Sequence, residues 1–249
     1  MNLDLDKIKF LLRGSKLIQK ILYYESVDST NDVARRSAGY GLLVIAERQE
    51  SGRGRRGRVW ISPYGGLWFS IVIRPLHNES HVPLALYNLM AGIAVVEAIR
   101  RLGLDAHLKW PNDVIVNNKK VCGILGESMR DRIIIGIGIN VNVDLQEFPI
   151  DLRGSVTSLM DELGRRVDRE DLLVNIIRGV EDICFRFDKD EILTKWKYFD
   201  ITLNRRVKVF SNGKVIEGFA IDIADDGSLL VVADGGELMK FSSCDVSIR

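Results

Sequence analysis

The chain has 249 residues, 46% of them apolar and 28% charged, with a net charge of +1. This is enough for one large globular domain and a small second one. The balanced charge argues against a dedicated nucleic-acid binder, no apolar run reaches the ~18 residues of a membrane span, and the opening MNLDLDKIKF is no signal peptide.

Cys122, Cys184 and Cys244 are far apart and contain no CxxC, so neither a disulfide framework nor a zinc site is expected. A reducing, cytoplasmic setting follows. His77 and His81 have helical spacing, but Pro75 and Pro83 flank them and no third ligand is evident, so no metal cage is expected there.

In chain order, Leu3, Leu5, Ile8, Leu11 and Leu12 predict a short amphipathic helix, and Lys20–Tyr24 a first strand. Residues 1–24 offer too little chain for a helix-turn-helix with its supporting helix. Ser29, Thr30 or Asn31 can cap a following helix, with Asp32 completing a loose capping box. The same short polar side chains can instead face a pocket. Leu42–Ala46 and Gly66–Ile73 read as buried strands.

Between those strands lies Gly52-Arg53-Gly54-Arg55-Arg56-Gly57-Arg58. Each glycine costs a helix about 1 kcal/mol against alanine, and glycine weakens a strand. A mobile loop is expected, ordered when an anion binds, with guanidiniums able to fork onto phosphate or carboxylate. Taken alone, the heptapeptide also suits a solvated basic loop or non-specific RNA binding.

Pro83–Leu104 has strong helical periodicity and reads as a core helix. Ala106–Trp110 is strand-like, and Val114–Val116, Asn117-Asn118 and Val121–Glu127 read as a hairpin. Arg132–Asn142 is a further strand. Gly123, Gly126, Gly136 and Gly138 suggest a sheet face cleared for a ligand, with bulges and twist accounting for some of them. Residues 155–199 are helical in pattern. Beyond Asn204, short strands at tight spacing predict a small all-β module.

The blocks Asp28-Ser29-Thr30-Asn31, Gln49 with Gly52–Trp60, Lys109–Asp113, Lys120–Leu125 and Gly136–Asn140 together resemble biotin protein ligases in order and spacing. The likeness covers essentially the whole chain. It implies an α+β fold in which a mixed β-sheet flanked by helices, like that of class II aminoacyl-tRNA synthetases, is followed by a small C-terminal SH3-like β-barrel. Residues 1–202 would form the catalytic domain and 203–249 the barrel. The implied reaction joins biotin to ATP as biotinyl-5′-AMP, then transfers biotin to a lysine of a biotin carboxyl carrier protein domain. Some family members carry an N-terminal helix-turn-helix and repress transcription, and this chain resembles the ligase-only type, with no DNA expected as partner. A homodimer is implied as well.

The same resemblance assigns roles. Lys120 and Arg55 are the expected catalytic residues, supplying positive charge between biotin carboxylate and α-phosphate. Ser29, Thr30, Asn31, Gln49, Gly52, Arg53, Gly54, Arg55, Lys120 and Gly123 are expected to bind biotin. Arg53, Arg55, Trp60, Lys109, Asn112, Lys120 and Asn140 are expected at ATP, and Asp113 at Mg²⁺. Trp60 and Trp110 are expected as apolar walls or simply as core, and Trp196 near adenine, while Arg56 and Arg58 serve pyrophosphate, loop ordering or nothing specific. The alternatives are a lipoate or octanoate transferase of related fold, and a nucleic-acid-binding module using the arginine loop.

Overall fold

The computed structural model describes residues 2–76, 82–129, 131–211 and 213–248. His77 and His81 lie outside the described residues, as does Asn212 of the predicted turn at 211–214.

A seven-stranded mixed sheet organises the chain. It comprises β1 (Lys20–Val27), β2 (Leu42–Gln49), β3 (Leu67–Ile73), β4 (Ala106–Lys109), β5 (Asp113–Val116), β6 (Lys119–Ser128) and β7 (Ile133–Ile139), in the spatial order β1-β2-β3-β7-β6-β5-β4. Only β1 and β2 run parallel, because α2 (Thr30–Arg36) crosses between them; every other neighbouring pair is antiparallel.

Strand β7 shows how the two faces differ. Ile133, Ile135, Ile137 and Ile139 point into the main core, against the side that carries α3 (Leu84–Arg100). On the opposite face Ile134 packs with Ala34 of α2, and Gly136 and Gly138 follow it with no side chain. The two-residue period of a strand therefore gives one filled face and one that is emptied toward the β7 C-terminus. Helix α3 is buried almost all round because α5 (Arg169–Arg186) and α6 (Lys189–Phe199) cover its outer side.

Helix α1 (Leu5–Leu11), capped by Asp4, ties the N-terminal residues to α5: Lys7 pairs with Asp168 and Asp171. Beneath it a buried ion pair joins Arg169 to Glu47 at 2.8 Å, and the Tyr23 hydroxyl also donates to Glu47. A short helix α4 (Leu159–Leu163) follows the 143–157 connection.

The second unit is a five-stranded antiparallel sheet of β8 (Arg205–Ser211), β9 (Lys214–Ile223), β10 (Leu229–Ala233), β11 (Leu238–Phe241) and β12 (Asp245–Ile248), ordered β11-β10-β9-β8-β12. Strand β12 escapes the sequence pattern, being only four residues long with one fully inward side chain, Val246. It matters because it carries Asp245 and Val246 to the cleft described next.

Candidate active site

Over the emptied face of the large sheet lies a cleft of about 440 Å³, lined from α2, the Arg/Gly loop, β5 to β7 and β12. Of the residues expected at a site, Ser29, Thr30, Asn31, Gln49, Arg53, Gly54, Arg55, Trp60, Lys109, Asn112, Asp113, Lys120, Gly123 and Asn140 all line it. Gly52 does not. A Cβ there would collide with the Trp60 carbonyl and the Ser62 hydroxyl, so Gly52 is needed for close backbone packing behind the wall.

One end of the cleft is uncharged and hydrogen-bonded. Ser29 is the N-cap of α2 by backbone geometry, yet its side chain makes no capping bond, so the capping-box expectation fails and the hydroxyl is left for the cleft. The Gln49 side chain accepts from the Thr30 N–H at 2.8 Å. Asn31 donates to the Leu125 carbonyl and to Glu127. Its oxygen lies over Gly136, where any Cβ would collide with it.

The wall is Trp60. Its ring lies over Gly138 and Gly123, and a Cβ on Gly123 would come within 2.9 Å of it. The sheet face is thus cleared first for Trp60 and Asn31, which in turn frame the cleft. Gly126 belongs elsewhere: it faces α3, against Asn88, and its place in the expected ligand face is corrected.

The other end is charged. A register shift between Val114 and Ile115 leaves Val121 as an extra residue in β6. The bulge lets Lys120 and Gly123, of opposite parity in the strand, both face Trp60. The preceding Asn117-Asn118 turn has φ of 47° and 62°, a geometry that asparagine tolerates. The Lys120 backbone is pinned on its outer side, donating to Ser155 and accepting from Thr157. Lys120 Nζ lies 2.6 Å from Asp113 Oδ1 and 5.0 Å from the Trp60 ring centre. Asn112 donates to the Ile124 carbonyl and accepts from Arg55 at 3.2 Å. Asn140 donates to the Thr157 carbonyl, and its buried oxygen has no partner.

The Arg/Gly loop is folded across both ends, with a single 3-10 turn at Arg55–Gly57. Arg53 bonds Asp32 at 2.6 Å and Glu127 at 2.9 Å, and Arg35 joins the same two carboxylates. Arg55 reaches the Cys244 carbonyl and the Ser243 hydroxyl, Arg56 the Phe210 and Ser243 carbonyls, and Arg58 pairs with Asp245. Burial pushes the Arg55 pKa below its usual value, though a guanidinium stays charged.

Trp196 leaves its expected place, whereas Trp110 keeps its own. Trp196 is 1% exposed in the core of α6 and does not line the cleft, which corrects its expected position near adenine. Trp110 lines the cleft, and its indole N–H donates to the Gly227 carbonyl in the β9–β10 turn. Sequence reading missed Asp245, Val246, Phe148, Leu152, Ser155 and Val156, which also line the cleft and come from segments without a motif.

A cleft with one neutral hydrogen-bonding end and one cationic end, closed by a glycine-rich arginine loop, defines a site for activating a carboxylic acid with a nucleotide. Residues 23–144 match the biotin/lipoate A/B protein ligase family, and residues 202–249 match the biotin protein ligase C terminal domain. The bifunctional ligase/repressor BirA of Bacillus subtilis is 31% identical across 97% of this chain and 78% of its own length. The biotin–[acetyl-CoA-carboxylase] ligase of Mycobacterium tuberculosis is 30% identical over 83% of this chain and 78% of its own. The biotin protein ligase of Aquifex aeolicus, solved in complex with biotin and ATP, superposes with a TM-score of 0.81 at 31% identity, covering 93% of this chain and 99% of that one. The chain belongs to the biotin protein ligase family. The match of the first domain is to a family that spans biotin and lipoate ligases, whereas the C-terminal match is to a biotin protein ligase domain.

Proposed function

We propose that this enzyme activates biotin with ATP and transfers it to a lysine of a biotin carboxyl carrier protein domain. In the first step the biotin carboxylate attacks the α-phosphorus of ATP, giving biotinyl-5′-AMP and pyrophosphate. In the second the lysine amine attacks the acyl carbon, AMP leaves, and an amide remains. The observation that carries this reading is one cleft joining the neutral Ser29–Asn31 and Gln49 end to the Lys120, Arg55 and Lys109 end.

Two anions must meet in the first step, so cationic groups fixed beforehand lower its barrier. Lys120, held by Asp113 and by two backbone bonds to the 155–157 segment, suits the carboxylate and α-phosphate, and Arg55 the phosphates. Ser29, Thr30, Asn31 and Gln49 suit the ureido ring, with Gly54, Gly123 and the Trp60 wall beside it. Asn112, Asn140, Lys109 and Trp60 suit ATP. Arg53, tied to Asp32 and Glu127, would act on the ligand through loop closure and its backbone.

Mg²⁺ keeps most of its water and takes one or two protein carboxylates besides phosphate oxygens. Asp113 and the partnerless Asn140 oxygen fit that demand, and among the described residues no group of three acidic, histidine or cysteine side chains offers a cage. The ion would neutralise phosphate charge when bound.

The same reading divides the chain at 202/203 into a catalytic domain and a small barrel, the barrel contributing Asp245 and Val246 to the cleft. It includes a homodimer and a cytoplasmic location, the latter supported by three unpaired buried cysteines. DNA is not among its partners. The four loop arginines bond acids, hydroxyls and carbonyls of the chain itself, and a net charge of +1 over the whole chain favours a ligase over a dedicated nucleic-acid binder.

Titration calorimetry with biotin, then with biotin and Mg-ATP, tests the reading. Biotin binding, with pyrophosphate released only when both ligands are present, is the expected result. Binding of lipoate in place of biotin would overturn it.

A further inference from the structure

Glu127 and Ser70 both stand behind the neutral end of the cleft, and neither lines it. Counting protons through them assigns the side-chain donors and acceptors of Thr30, Asn31 and Gln49. Asn31 Nδ2 faces two groups that only accept, the Leu125 carbonyl and the Glu127 carboxylate, so the amide cannot be flipped. Its Oδ1 therefore accepts, and Ser70 Oγ at 2.6 Å must donate to it. Ser70 has spent its one proton. The 2.7 Å contact between Ser70 and Thr30 then requires the Thr30 hydroxyl to donate to Ser70. Nothing is left for the 3.2 Å approach of Thr30 Oγ1 to Gln49 Oε1. Gln49 is fixed in the same way: Oε1 takes the Thr30 N–H, and Nε2 donates to Ser62, whose own proton goes to the Trp60 carbonyl.

The outcome is a polar end whose fixed members, Thr30 Oγ1, Asn31 Oδ1 and Gln49 Oε1, have only lone pairs to spare. Ser29 alone has a hydroxyl proton uncommitted to the chain. We propose that Ser70, a fully buried residue of β3, is a positioning residue that sets this polarity, with Glu127 as its anchor, and thereby makes the cleft select a ring bearing N–H donors beside one acceptor. A cyclic urea has that pattern, and a dithiolane ring lacks it. A site built around committed acceptors rejects a ligand without the matching donors far more strongly than size alone permits. The inference rests on the biotin reading above and adds the residue that enforces it.

The test compares biotin with its isosteric cyclic carbamate, in which one ring N–H is replaced by oxygen, in competition binding to the unaltered chain and to Ser70→Ala. The unaltered chain is expected to prefer biotin by at least ~10²-fold. Without Ser70 the Thr30 hydroxyl is free to turn and donate to the carbamate oxygen, so the preference falls by ~10-fold or more while the ATP KM stays unchanged. Equal weakening of both ligands, or an unchanged ratio, makes Ser70 merely structural and overturns the proposal. Should Ser70→Ala fail to fold, Ser70→Cys, similar in volume and a weak donor, is expected to give an intermediate ratio, and an unchanged ratio there overturns it equally. A chain that binds neither ligand overturns the biotin reading itself, an outcome distinct from a preference that Ser70 does not control.

Discussion

Lys120 Nζ lies 2.6 Å from Asp113 Oδ1, across a hairpin whose bulge turns the lysine into the cleft. The pair holds a cation in place before substrate arrives, so charge stabilisation needs no reorganisation at the moment of reaction. Lys120→Ala is expected to slow biotin-dependent pyrophosphate release by at least ~10²-fold, the scale of losing one prearranged donor. A near-normal rate in that variant would take Lys120 out of the mechanism. Asp113→Asn is expected to raise the Mg²⁺ concentration needed for half-maximal rate by ~10-fold or more. An unchanged Mg²⁺ requirement would leave Asp113 as the keeper of Lys120 alone.

Trp60 and Gly138 occupy one another's space: the indole nitrogen sits where a Cβ on Gly138 would have to be. Gly138→Ala must displace the wall of the cleft. A stability loss of roughly 1–3 kcal/mol is expected from overpacking, together with a shift in tryptophan fluorescence and a rise in biotin KM of at least ~10-fold. If biotin KM were unmoved while stability fell, Trp60 would not be a wall of the biotin site.

The Arg/Gly loop is fastened at two ends, by Arg53 to Asp32 and Glu127 and by Arg56 and Arg58 to the second sheet. Each exposed pair contributes at most about 1 kcal/mol, so the loop can open. It is expected to be protease-sensitive without ligand and protected once biotinyl-adenylate is bound, since closure keeps water from the mixed anhydride. The double variant Arg56→Ala, Arg58→Ala is expected to release several-fold more free adenylate into solution per turnover. Equal cleavage of the loop with and without ligand would count against closure.

Asp200 ends α6, where its carboxylate accepts from the Thr202 and Leu203 N–H groups while Thr202 Oγ1 accepts from the Trp110 N–H. Burial pushes its carboxyl up to about 6 from the ordinary 3.8. A raised carboxyl favours the folded state when protonated, so this contribution is complete below the ordinary value and disappears as pH rises through about 6. Its size is up to about 3 kcal/mol, from the free energy of one pKa unit. Asp200→Asn removes the titration. The melting temperature of the variant minus that of the unaltered chain should therefore increase by several degrees between pH 4 and pH 7. A flat difference would show that Asp200 titrates normally.

Sequence alone was enough for the strands around the loop, the core helix α3 and the glycines of β7, because each shows in local periodicity or in the absence of a side chain. The chemistry-bearing blocks were legible through their resemblance, in order and spacing, to those of biotin protein ligases. Ser29 was ambiguous between cap and pocket, and only its backbone bonds in three dimensions left the hydroxyl free. Trp196 and Trp110 are both buried, yet only Trp110 also lines the cleft, its indole N–H reaching the Gly227 carbonyl of the β9–β10 turn. Ser70, Glu127 and Asp245 carried no local signal at all. Each acts through a partner 39 or more residues away, such as Asn31 for Ser70 and Arg58 for Asp245. Periodicity and propensity are properties of neighbouring residues, whereas the direction of a hydrogen bond is decided by whichever groups folding brings within 3 Å of one another.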